Sequence, residues 1–313
     1  MSVFDSKFII DLVTPEITNQ CNYSCYSCPH RSLDRAIGNM SVDLFKKIFN
    51  DCQKNTKELC IAFFGEPMLH PQFMDILAYM KAKRSSLYLS INTNLSCATR
   101  EILNALIDVP FNQVRFSVDA ATQETYRIVR PAEFALDLEG TRYEGNRLDL
   151  IDEKVRWWHS LSNHVSTRHV YTVSSINIDE LPLYVEKWVP LFGTMDELRA
   201  KRLLTYGGKI SDPLLKPHPC NVWGQRFAAI DWQGNVSPCN LDTEMELTIG
   251  NINDATLEEL FKSKAWEETR SRSILEKESP CRECIDSNAW AEDRNLVLKS
   301  GDKWDASYWK RFR

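Results

Sequence analysis

The sequence predicts an α/β fold, a partial (β/α)6 barrel followed by a small and irregular C-terminal domain. Three observations predict it. Short β-rich runs alternate with amphipathic helical stretches up to about residue 205. The alternation stops after Gly207-Gly208, where a proline-rich segment and a hairpin pattern take over. Seven of the ten cysteines fall into two groups at ligand spacing, one near each end of the chain. The 313 residues suit one large domain or one with a small satellite, and 43% hydrophobic with 26% charged content excludes disorder, collagen and a coiled coil. Thirty-eight basic against 43 acidic residues leave no polybasic face, so no nucleic-acid partner is expected. No apolar run approaches the roughly 18 residues of a membrane span. The start, MSVFDSKFII, lacks the charged head and cleavage site of a secretory signal, so a soluble cytoplasmic protein is expected.

The strands are placed at Phe8–Val13, Leu59–Phe64, Leu87–Asn92, Val114–Val118, His169–Ser174 and Leu198–Leu204. Several read as continuous apolar or β-branched runs, as parallel strands buried on both faces do. Helices are placed at Val42–Phe49, Arg100–Ile107, Thr122–Val129 and Leu181–Val189, and around Phe73, Ile76, Leu77 and Met80, spaced i, i+3, i+4 and i+7. Six βα units fall two short of a closed eight-stranded barrel. Pro131–Asp152 reads as an insertion after strand four, either a cover over the substrate or a surface excursion. Beyond the linker-like Ser211–Pro219, Phe227–Asp231 and Asn235–Ser237 flank Gln233-Gly234 as a hairpin. Thr256 and Glu259 form a capping box for a short helix. The boundaries expected are 1–210 for the barrel, 211–285 for the second domain and 286–313 for a tail packed on the barrel.

Cys21, Cys25 and Cys28 follow strand one directly. Thiolates so close in sequence can wrap one soft metal centre. Structural zinc and redox-inert clusters want four protein ligands. Three on a four-iron cluster leave one iron open. A zinc site completed by His30 stays open as the alternative. At this C-x3-C-x2-C spacing the chain resembles the radical S-adenosylmethionine (SAM) superfamily. That resemblance implies that the open iron chelates the methionine end of SAM. One electron, from an external flavodoxin- or ferredoxin-like reductant, then releases a 5′-deoxyadenosyl radical. It also implies further SAM contacts: Gly65, Glu66 and Pro67 after strand two, Asn94 after strand three, Ser117 and Asp119 after strand four, and Arg130. Ser27 stands where relatives carry a bulky residue, and Phe64 where they carry a glycine.

Cys220, Cys239, Cys281 and Cys284 give C-x13-G-x4-C and then C-x2-C. Four thiolates would complete a second [4Fe–4S] cluster and staple a domain too small to fold confidently alone. This resembles the twitch domain, the shorter relative of SPASM. A zinc ion on the same four thiolates is the alternative.

Cys52 and Cys60 read as buried structural thiols. Cys97, after strand three, is the candidate hydrogen-atom donor if the reaction is an epimerisation. His164 and His169 read as ordinary surface, and Arg199, Arg202 and Lys209 as possible contacts to an anionic substrate. The resemblance favours dehydrogenation of a small sugar- or cyclitol-like substrate, with the second cluster accepting an electron. Epimerisation of such a substrate is the first rival. Modification of a ribosomal peptide is the second, against which stands the early start of strand one, leaving no N-terminal leader-binding domain. A non-enzymatic metal-binding protein would explain the cysteines but not the ordered SAM motifs.

Overall fold

The computed structural model describes residues 8–83, 85–161, 164–215, 220, 226–273, 280–284 and 295–312. Strands β1 (Ile10–Pro15), β2 (Thr56–Ile61), β3 (Tyr88–Thr93), β4 (Gln113–Ser117), β5 (Ser166–Val173) and β6 (Glu197–Arg202) lie side by side in chain order. Each pairs in parallel with the next. Helices α1 (Val42–Asn55), α2 (Phe73–Ala82), α3 (Arg100–Asp108), α4 (Gln123–Val129), α5 (Arg147–Ser160) and α6 (Leu181–Trp188) cover one face. Their starts follow from capping side chains. Ser41 accepts from Leu44 N, Thr99 from Ile102 N, Thr122 from Thr125 N, and Asn146 from both Leu148 N and Asp149 N.

The sheet runs on beyond these six strands. Hairpin β7 (Phe227–Ile230) and β8 (Asn235–Ser237) joins β1 through β7, in parallel, and β9 (Gly250–Asn251) follows. At the other edge β10 (Asn295–Lys299) pairs antiparallel with β6. The ten strands form one sheet, so the chain after residue 210 extends the barrel sheet at both edges. The tail expected to lie on the barrel is, at 295–299, its edge strand; Trp290 and part of the proline-rich linker lie outside the described residues. Helix α7 (Leu257–Phe261) carries both halves of the expected capping box, and α8 (Lys264–Ser271) follows it.

Three expectations need correction. The strands are not apolar on both faces. Val114, Phe116, Tyr171, Val173, Leu198 and Ala200 pack beneath the helices, while the alternate positions carry Arg115, Ser117, Arg168, Thr172, Arg199 and Lys201 toward a cleft. An incomplete barrel has only one helix-covered face, so the period-2 pattern of a half-buried strand wins. The insertion ends early, because 147–152 open α5, whose Leu148, Ile151, Val155 and Trp158 are buried at helical spacing. His169 is fully buried, packed against His159, with Tyr184 Oη at 3.2 Å from its Nδ1.

Candidate functional site

The loop carrying Cys21, Cys25 and Cys28 is held from three sides. Ser24 N donates to Pro131 O, Tyr26 N to Val129 O and Glu133 N to Asn22 O, each at 2.9 Å. The segment read as an insertion therefore backs the cysteine loop. From the segment after β2, Glu66 N donates to Gln20 O at 2.7 Å. Here Gly65 (φ +84°) lets two backbones touch: a Cβ would stand 2.2 Å from Thr18 O and 2.9 Å from Gln20 O. From the loop itself, the His30 imidazole bonds Asn19 O at 2.7 Å through Nε2.

All three thiols are free and line a cleft that opens to solvent. Burial pushes the Cys21 thiol well above its ordinary range, with Cys25 and Glu66 adding to the effect, and lifts Cys28 to about 12. Such buried thiols become thiolates only against a compensating positive centre. Among the described residues no three His, Cys, Asp or Glu side chains gather closely enough to share one ion. Three thiolates could each take a different iron of a four-iron cube, which would leave the fourth iron open.

The residues expected around SAM fall at this cleft with one exception. Gly65, Glu66, Asn94, Ser117, Asp119 and Arg130 line it. Pro67 instead starts a 3-10 turn behind it. Cys97 is 3% exposed, does not line the cleft, and sits behind Asn22 and Ser96 as a weak acceptor. Glu66 is already engaged: Oε1 accepts from Thr93 Oγ1 at 2.8 Å and Oε2 from Asn94 N at 2.7 Å. Burial raises its pKa and these bonds pull it back. Arg130 pairs with Asp119 at 2.5 Å and lies 5.6 Å from the Tyr23 ring centre. Its Nε is buried without a hydrogen-bond partner, a donor that fits an anionic acceptor in the cleft. Asp119 accepts in turn from Thr172 N at 2.6 Å, which ties the ends of β4 and β5 together. Three of the five non-glycine residues with positive φ, Phe63, Asp119 and Tyr206, line the same cleft. Backbone strain gathers at functional sites.

The second cysteine group is also drawn together. The charge of Cys239 is felt against Cys284 and Cys281, and that of Cys281 against Cys220. Gly207 and Gly208 seat the Cys281–Cys284 loop, since a Cβ on either would stand 2.9 Å from Pro280 or Glu283. Cys239 packs against Leu12, Cys60 and Phe227, on the sheet face away from the helices. Cys52 and Cys60 are buried.

Of the basic residues singled out in the sequence, Arg199 lines the cleft. Arg202 donates to Phe312 O at 3.1 Å, and Lys209 pairs with Glu244. Arg115, Arg168 and Lys201 were not expected there. Their signal was a basic residue at alternate positions of three consecutive strands: QVRFS, STRHVYTV and ELRAKR.

Residues 16–143 match the model of the radical SAM superfamily, and residues 220–285 that of the SPASM iron–sulfur cluster-binding domain. The chain is 37% identical over 107 residues to the tungsten-containing aldehyde ferredoxin oxidoreductase cofactor-modifying protein of Pyrococcus furiosus, a match covering 33% of this chain and 29% of that protein. The match thus spans under a third of that curated relative. In fold, the chain is similar to BtrN solved with AdoMet and 2-DOIA (TM-score 0.58, 16% identity, 93% of this chain and 99% of that one). It is also similar to Streptococcus suis SuiB bound to the precursor peptide SuiA (TM-score 0.66, 12% identity, 90% and 71%).

Proposed function

We propose, from the premise that this chain is a radical SAM protein with an SPASM-type iron–sulfur domain, that it oxidises a small polar substrate by two electrons. The two domains imply SAM and two [4Fe–4S] clusters as cofactors. Cys21, Cys25 and Cys28 would hold the first cluster; Cys220, Cys239, Cys281 and Cys284 would hold the second. When bound, the first cluster with SAM supplies hydrogen-atom abstraction from an unactivated C–H, and the second supplies an electron acceptor.

The chain's own residues then have separable tasks. Arg130, braced by Asp119, offers its free Nε to the SAM carboxylate. Ser117, at the end of β4 and lining the cleft, would hydrogen-bond the ribose of SAM. Glu66 ties β2 to the β3 loop and so holds Asn94 at the rim. Tyr206 lines the cleft immediately before the glycines that seat the second cysteine loop, so the two sites share a wall.

One observation carries dehydrogenation over epimerisation. Among the described residues lining the cleft, the thiols are Cys21, Cys25 and Cys28, all committed to the cluster, and Cys97 is shut behind Asn22 and Ser96. No thiol is then left to return a hydrogen atom. The test is turnover in deuterated water with SAM and a low-potential reductant. Dehydrogenation gives 5′-deoxyadenosine and a product without solvent deuterium at carbon; an epimerised product would carry one.

A further inference from the structure

The wall of the cleft formed by β4–β6 is basic, although the whole chain carries a net charge of −5. Register places Arg115 opposite Arg168, Val170 opposite Arg199, and Thr172 opposite Lys201. All four cations therefore sit on one face, and all four line the cleft. They are not equivalent. Glu58 holds Arg115 at 2.6 Å, Glu197 holds Arg168, and Asn295 Oδ1 accepts from Arg199 at 3.1 Å. The ammonium of the partly buried Lys201 has neither a side-chain hydrogen bond nor an ion pair among the described residues. The acid that acts on it most, Asp119, is already shared by Arg130 and Thr172 N, and the Cys28 thiol acts on it more weakly.

We propose that the substrate carries an oxyanion, a phosphate or a carboxylate, seated on Lys201 with Arg199 beside it. This rests on the reading of the cleft as a radical SAM site and adds the substrate's chemical class. An ammonium without a protein partner can meet an incoming oxyanion with charge-assisted hydrogen bonds. Burial presses the same way: it lowers the Lys201 ammonium, and it lowers Arg199 to about 10 with Arg168 and Arg115 adding repulsion. Glu58 and Glu197 keep the two outer guanidinium groups oriented, so the wall is preformed. The position is also right. The residues expected at SAM, from Gly65 to Asp119, stand at the ends of β2–β4, whereas Lys201 and Arg199 come from a different strand, β6.

The test is anaerobic calorimetry on the reconstituted holoenzyme, without SAM and again saturated with it. Inorganic phosphate and citrate serve as probes, with glycerol as the uncharged control. We expect one or both anions to bind at millimolar concentration and glycerol not to bind; the tighter anion identifies the group. Lys201→Met should weaken binding about tenfold or more, and Lys201→Arg should largely restore it. Binding of neither anion, equal binding by Lys201→Met, or anion binding that SAM abolishes would each overturn the proposal, the last because Lys201 would then belong to the SAM site. Uncoupled SAM cleavage by the wild-type preparation separates the failures. If cleavage proceeds and no anion binds, only the substrate class is wrong; if cleavage is absent as well, the reading of the cleft is wrong.

Discussion

Gly65→Ala is the substitution that asks most of the cleft. The added Cβ would lie 2.2 Å from Thr18 O, and reaching even 3.0 Å requires a shift of at least 0.8 Å. The neighbours are backbone atoms, and that backbone is pinned. Gly38 N donates to Asn19 Oδ1 at 2.8 Å, Asn19 Nδ2 to Ala36 O at 2.9 Å, and Glu66 N to Gln20 O at 2.7 Å. Two costs add. Left-handed φ for an L-residue costs roughly 1–2 kcal/mol, and overpacking a site that cannot yield costs about 1–3 kcal/mol. The sum is about 2–5 kcal/mol, and Gln20 passes the displacement directly to Cys21. Gly140→Ala is the matched control, because its φ is +86° but the nearest atom to a Cβ, Thr99 Cγ2, is 3.6 Å away. The assay is the urea midpoint of the unreconstituted protein, with iron and acid-labile sulfide after reconstitution. Gly65→Ala should lose the larger stability and the first cluster while keeping the second; Gly140→Ala should lose only the φ cost. If the two variants behave alike, the close approach at Gly65 is not what holds the cysteine loop.

Other perturbations separate the remaining parts. Arg130→Met leaves Asp119 buried without its cation, so it should destabilise by about 3–5 kcal/mol; Arg130→Lys keeps the charge but not the fork, and SAM titration should show it binding about tenfold more weakly. Cys97→Ala should leave the product and its deuterium content unchanged; a lost or altered product would restore its role as hydrogen donor. Lys154 is fully buried and donates to Leu95 O, Ser96 O and Leu136 O, at 3.0, 2.9 and 2.6 Å. Burial lowers its ammonium from 10.5 to about 8. Between those values the unfolded chain keeps a proton that the folded chain has lost. Stability therefore rises with pH across that window, by on the order of 3 kcal/mol at most. Lys154→Met should abolish this rise in urea midpoints; parallel wild-type and variant profiles would count against it.

Much of this was legible in the chain. The strands sit within three residues of their expected starts, because each parallel strand needs a run of β-formers and each crossover an amphipathic helix. Both cysteine groups were legible because their spacings are those that metal ligation would demand. What the sequence hid depends on the shape of the sheet. Arg115, Arg168 and Lys201 looked like ordinary charges until the register put them on one face. His169 looked like surface beside His164, yet the same alternation turns it under the helices. The first turns of α5 were masked by the charges of Arg147, Asp149, Asp152 and Glu153, which lie between its buried positions. The backing of the cysteine loop by residues 129–134 runs through main-chain atoms, which leave little trace in side-chain patterns.

The account stands or falls on two clusters held by separate sets of thiols. Iron, acid-labile sulfide and zinc should be counted on anaerobically reconstituted wild-type protein and on a variant with Cys21, Cys25 and Cys28 all changed to Ala. Two four-iron clusters predict about eight irons per wild-type chain and about four in the variant, with no zinc in either. About four irons with one zinc in the wild type, and zinc alone in the variant, would contradict it. The C-terminal site would then be structural, and the oxidation would have no electron acceptor.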